Sequence, residues 1–174
     1  DGAIKGNVLC ALDTSGSMTS PIQGGPVGLT SYDVCVSLGI YFSELNTGAF
    51  HNTVAMFDNT SRLMELKGSF SDKWYQIKSA TTAWGGTNFQ SLIDLICNTR
   101  RAHPSIPLED FPKTLLVVSD MQFNPTNSWS YNERNGMAAE QTNYRTAMQK
   151  LKTVFPESCN SFFVFDKVPG IAIN

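Results

Sequence analysis

Residues 7–17, Asn7-Val8-Leu9-Cys10-Ala11-Leu12-Asp13-Thr14-Ser15-Gly16-Ser17, decide how the rest of the chain is read. Val8 to Leu12 are apolar without a break, whereas a strand with one wet face would alternate. The run therefore reads as a strand buried on both sides, from Asn7 to Asp13. Strands of that kind belong to parallel sheets, whose two faces are covered by helices. The run stops on a carboxylate, and a glycine-loosened turn carrying two hydroxyls follows it.

Working outward, the remaining segments fit that frame. Met18 to Thr30, with Pro21, Gly24, Gly25, Pro26 and Gly28, reads as a long surface loop. Ser31 to Asn46 has helical spacing at Val34, Leu38, Tyr41, Phe42 and Leu45, with Val36 and Ile40 opposite, which predicts a helix buried nearly all round. Asn52–Asp58 and Ser61–Lys67 read as strands joined by a tight hairpin at Asn59-Thr60. Ser69–Ala80 is a short helix anchored by Trp74 and Ile77. Gly85-Gly86 breaks the chain before a helix over Asn88–Arg101 that buries Phe89, Leu92, Ile93 and Ile96. Lys113–Asp120 is strongly strand-like. Ala138–Leu151 is a helix packing Tyr144, Ala147, Met148 and Leu151, and Ser161–Asp166 reads as another central strand. Val168–Asn174 resembles a last strand, but a parallel crossover needs a dozen or more residues. It either runs antiparallel or follows residues missing between Asp166 and Gly170. The expected fold class is α/β: a doubly wound, mostly parallel open sheet with helices on both faces.

Composition narrows the function. The chain has 174 residues, 13 Lys+Arg against 15 Asp+Glu, and a formal net charge of −2. A chain of this length buries roughly 70% of its unfolded surface, enough for one core. A single domain over residues 1–174 is expected, and a chain that does not begin with Met reads as a fragment of a longer protein. Charged residues make up 16% and hydrophobic residues 41%, which excludes disorder. The near balance of charge excludes a global basic field for polyanions, and no apolar run reaches the ~18 residues of a membrane span. Cys10, Cys35, Cys97 and Cys159 form no Cys-x-x-Cys pair and lie in or beside apolar segments. They read as buried free thiols, which makes the cytoplasm the expected location.

In an open parallel sheet the ligand crevice lies beyond the carboxyl ends of the strands. Strand-terminal acids collect there: Asp13, Asp120 and Asp166. Asp13-Thr14-Ser15-Gly16-Ser17 offers one carboxylate and two hydroxyls, an oxygen-only donor set that suits a hard cation, with Mg2+ favoured where water completes the shell. Asp and Ser after a strand also simply cap and turn a chain. Gly85-Gly86-Thr87-Asn88 adds a hydroxyl on a bent loop, and Ser119-Asp120 adds a second carboxylate. Thr87 with Gln90 three residues on would also make a capping box. Asp58 and Asp166 read as structural or solvated.

Asp-x-Ser-x-Ser, a Gly-Thr loop and a strand-terminal Asp, in this order, resemble the von Willebrand factor type A (vWA) domain over about residues 6–166. The resemblance implies a Rossmann-like vWA fold with a metal-ion-dependent adhesion site (MIDAS). Its metal set would be Asp13, Ser15, Ser17, Thr87 and Asp120, around Mg2+ or Mn2+/Ca2+. Ser15 and Ser17 would ligate directly, Thr87 directly or through water, and Asp13 and Asp120 through held waters or directly. A protein partner would supply an acidic side chain to an open position. Leu38-Gly39-Ile40, Phe42-Ser43-Glu44-Leu45, Thr87-Asn88-Phe89-Gln90 and Val118-Ser119-Asp120-Met121-Gln122-Phe123 resemble a subgroup of these domains from plants, amoebae and large viruses. That subgroup is similar to the vWA domain of TROVE (Ro-type) RNA-binding proteins. The resemblance thus leaves two other roles open: assembly of an RNA-protein complex, or a structural domain whose metal ties loops together.

Catalysis is not expected. A phosphatase of the haloacid dehalogenase type needs a second acid where Ser15 stands, and neither a nucleophile elbow nor a P-loop is present. His51 leads into a strand and His103 ends a helix, so neither is placed as a base beside Ser15. Arg145, Lys150 and Lys152 share one helix and Arg100-Arg101 close another; such runs are usually solvated faces. RNA is not favoured, because phosphates would approach an acidic metal rim, and stays open only through a metal that bridges a phosphate; a membrane is not an expected partner. Met121, Phe123 and Trp129 could form an apolar rim beside the site.

Overall fold

A computed structural model describes residues 7–58, 60–81, 88–119 and 136–155, with side chains in the last segment from residue 144. Four strands form one sheet among them: β1 (Val8–Asp13), β2 (Thr53–Phe57), β3 (Ser61–Glu65) and β4 (Thr114–Val118). Four α-helices accompany them: α1 (Ser31–Leu45), α2 (Phe70–Ala80), α3 (Phe89–Ala102) and α4 (Gly136–Lys152). The strand order is β3-β2-β1-β4. β1 pairs in parallel with both β2 and β4, and β3 closes one side antiparallel to β2, with Phe57 opposite Ser61. The fold is thus α/β with a mixed, mostly parallel sheet flanked by helices. The segments expected as strands over Ser161–Asp166 and Val168–Asn174 lie outside the described residues.

The two faces of β1 feed two cores. Val8, Cys10 and Leu12 pack with Val54, Met56, Leu116 and Val118 under α1 and α2, which contribute Cys35, Val36, Ile40 and Ile77. Leu9 and Ala11 pack with Ala55, Phe57, Leu115 and Val117 under α3 and α4, which contribute Phe89, Leu92, Ile93, Cys97, Ala147 and Leu151. The alternation of side chains along a strand explains the split, and double coverage explains why β1 is apolar throughout.

Two helices are buried less completely than expected. α1 buries Tyr32, Cys35, Val36, Gly39, Ile40 and Ser43, while Tyr41 and Leu45 are 56% and 62% exposed. Small side chains win because they let the helix axis approach the sheet. A Cβ on Gly39 would stand 2.5 Å from Leu12 Cδ2. In α4, Ala147 and Leu151 are buried as expected, but Tyr144 is exposed. In α2, Ile77 is buried as expected, Trp74 packs partly buried against the core, and Lys73 is also buried. No helix among the described residues is long and apolar enough to cross a membrane.

Candidate metal centre

The carboxyl end of β1 is the point where the strand order reverses, with β2 on one side and β4 on the other. In doubly wound sheets that switch point opens the crevice in which ligands sit. Asp13 ends β1 there with no exposed surface, followed by buried Thr14 and Ser15. The chain stays in register for one more residue, since Thr14 N–H donates to Phe57 O at 3.1 Å. It then turns, because Asp13 Oδ1 accepts the Ser15 amide at 2.9 Å in an Asx turn. A single 3-10 turn, Gly16–Thr19, follows, and Met18 drives into the core at 2% exposure to hold it down.

The outcome is a fixed pair of hydroxyls. Ser15 Oγ and Ser17 Oγ lie 3.1 Å apart beside the buried carboxylate. Octahedral Mg2+ with oxygens at ~2.0–2.1 Å sets neighbouring ligands about 2.9 Å apart, so the two hydroxyls fit one edge of such a shell. On the other side of the switch point, Ser119 follows β4 and its Oγ donates to Asp13 Oδ2 at 2.5 Å. Behind the site Cys35 Sγ of α1 touches the tops of both strands, Val118 O of β4 at 3.4 Å and Asp13 O of β1 at 4.0 Å. Burial first, then the charges of Cys10 and Asp13, pushes the Cys35 thiol well above its ordinary range. Burial alone pushes Cys10 up to about 12. Cys10, Cys35 and Cys97 are buried, with no disulfide between them.

Thr87 and Asp120 lie outside the described residues, as do Asp166, Cys159, Met121, Phe123 and Trp129. Their described neighbours reach the same end of the sheet. Asn88 N–H donates to Asp58 O at the top of β2 at 2.7 Å, and Ser119 reaches Asp13 from the top of β4. The structure corrects the capping box assigned to Thr87 and Gln90. The N-cap of α3 is Asn88, whose side chain accepts from Ser91 N–H at 3.2 Å. Asp58 is buried and its Oδ1 accepts the Thr60 amide, which makes it structural rather than solvated, one of the two readings given it. No group of three or more His, Cys, Asp or Glu that could hold a metal occurs among the described residues. The expected donor set has only two acids, of which Asp13 alone is described.

The other residues weighed from sequence have local duties. His51 Nδ1 bonds Asn46 O at 2.7 Å, and His103 caps the end of α3. Lys150 pairs with Asp94 at 2.7 Å. Arg100 donates to Ile106 O and lies over the Phe111 ring. Ser119 was the contributor that residue type did not announce. A lone serine before a strand-terminal acid carries no signal until β1 and β4 are known to be neighbours.

Known proteins give the following likenesses. An uncharacterized protein of Acanthamoeba polyphaga mimivirus is 31% identical over 126 residues, 71% of this chain, and the matched region spans 20% of that protein. The crystal structure of an aerotolerance-related membrane protein from Bacteroides fragilis, carrying multiple mutations to serines, aligns with a TM-score of 0.43 and 16% identity over 81% of this chain and 63% of that one. Residues 7–163 match the family described as "Domain of unknown function (DUF7788)". With that match running from the start of β1 to beyond α4, the chain belongs to the DUF7788 family.

Proposed function

We propose that this domain is a divalent-cation-dependent protein-binding module of the vWA kind, with a MIDAS-type site at the switch point. Ser15, Ser17 and Thr87 would offer hydroxyl oxygens, and Asp13 and Asp120 would offer carboxylates. The cation expected is Mg2+, with Mn2+ or Ca2+ as substitutes. Two carboxylates offset the cation's charge while neutral hydroxyls leave it able to accept a further anionic ligand. That ligand is an acidic side chain of a protein partner. The observation that carries the reading is the edge-sharing pair of hydroxyls, Ser15 and Ser17, set beside the buried carboxylate of Asp13 where the strand order reverses. The buried thiols of Cys10 and Cys35 accord with a reducing compartment such as the cytoplasm. No catalytic step is assigned to the site.

The test is retention of protein partners on the immobilised chain. Partners held in Mg2+ should be released by EDTA and should not be held by a Ser15→Ala, Ser17→Ala double variant. Cation binding without any cation-dependent partner would instead support an ion that only ties loops together. Retention of RNA, weakening steeply as salt rises, would support the assembly role.

A further inference from the structure

We infer that Ser119 is a positioning residue that sets which cation the Asp13 centre prefers; the inference rests on the cation-binding reading above. Asp13 carries a protein donor on each carboxylate oxygen. The Ser15 amide donates to Oδ1 at 2.9 Å, and the Ser119 hydroxyl donates to Oδ2 at 2.5 Å. The two donors come from different strand ends, so the carboxylate plane is fixed from both sides, inside a residue with no exposed surface. Such a brace orients the ligand in the way outer hydrogen bonds orient the ligands of metal sites generally.

It also restricts how the carboxylate binds. Each protein donor takes one of the carboxylate's roughly four lone-pair directions, which crowds the two-oxygen chelating mode toward a single ion. What remains suits one oxygen contact or a coordinated water. Ca2+ takes six to eight oxygens at ~2.3–2.6 Å and readily uses bidentate carboxylates, whereas Mg2+ keeps several waters at ~2.0–2.1 Å. The brace therefore disfavours Ca2+ and leaves the water-rich shell of Mg2+ undisturbed. Removing the Ser119 hydroxyl takes that donor from Oδ2, loosens the ligand and eases the chelating mode.

Calorimetric titration of the whole chain with MgCl2 and with CaCl2, on wild type, Ser119→Ala and Ser119→Thr, tests this. The cation-free melting temperature of each protein is recorded alongside. Ser119→Ala should weaken Mg2+ binding about 10–100-fold and Ca2+ binding by no more than about threefold, so the preference between them falls. Ser119→Thr keeps the hydroxyl and should restore the wild-type ratio. Equal losses for both cations would show that Ser119 only ties β1 to β4, and unchanged affinities would show that it does neither; both overturn the inference. A wild type that binds neither cation overturns the cation-binding reading itself, and this inference with it.

Discussion

Gly39 lies where α1 crosses β1, and the contact it permits leaves no room for a methyl group. An added Cβ would stand 2.5 Å from Leu12 Cδ2 and 3.0 Å from Cδ1, and Leu12 is fully buried. Gly39→Ala would gain up to about 1 kcal/mol in helix propensity and lose about 1–3 kcal/mol to overpacking. Urea unfolding should therefore show a net loss of about 1 kcal/mol, and a more stable variant would contradict the close approach. Lys73 poses a different problem, an ammonium inside the protein. Its side chain is 6% exposed against 46% for its partner Glu44, and it donates to Glu44 Oε1 at 2.6 Å and Asn52 Oδ1 at 2.7 Å. Removing Glu44 strands the buried charge, while removing Lys73 leaves a carboxylate that water can reach. Glu44→Ala should thus cost about 2 kcal/mol or more, and Lys73→Met less than about 1 kcal/mol. The reverse order in chemical denaturation would show that Glu44 does not compensate the ammonium.

At the scale of elements, the helix starts are written in local chemistry. Thr30 with Asp33 and Ser69 with Asp72 form complete capping boxes at α1 and α2. The hydroxyl and amide of Ser69 hold the Asp72 carboxyl below its ordinary value of 3.8. The stabilisation that comes with this is present above the ordinary value and is lost as pH falls through the lower, folded one. Ser69→Ala should lower the urea midpoint at neutral pH, with the difference from wild type shrinking in acid; a constant difference would separate the cap from that carboxylate. The eight described elements were legible because each rests on such local signals: β1 on its unbroken apolar run, α3 on the spacing of Phe89, Leu92 and Ile93. How much of a helix is buried was less legible. In α1 the larger apolar side chains Tyr41 and Leu45 point outward, and Cys35, Gly39 and Ser43 face inward, because close approach to β1 rewards small volume over hydrophobicity. The N-cap of α3 was displaced by one residue for a similar reason of detail. Asn88 is held by Asp58 O and caps with its own side chain.

For the whole molecule, the decisive fact is the position of β1 between two parallel partners, β2 and β4. That placement makes the end of β1 the switch point of the sheet, where a buried carboxylate and a pair of neighbouring hydroxyls lie. Although on their own they read equally as a cap and turn, the carboxylate and hydroxyls of Asp13-Thr14-Ser15-Gly16-Ser17 were legible as residue types at a strand end. The brace from Ser119 was not, because it depends on the pairing of strands about a hundred residues apart, which no local pattern encodes. An ion that binds the folded chain and not the unfolded one must raise its melting temperature with concentration. The most direct measurement of the central claim is therefore the thermal melt of wild type and Asp13→Ala in MgCl2 and then in EDTA. Wild type should melt at progressively higher temperature as Mg2+ rises and fall back when EDTA is added, while Asp13→Ala should melt at one temperature throughout. A wild-type melting temperature indifferent to Mg2+, Mn2+ and EDTA would contradict the cation site.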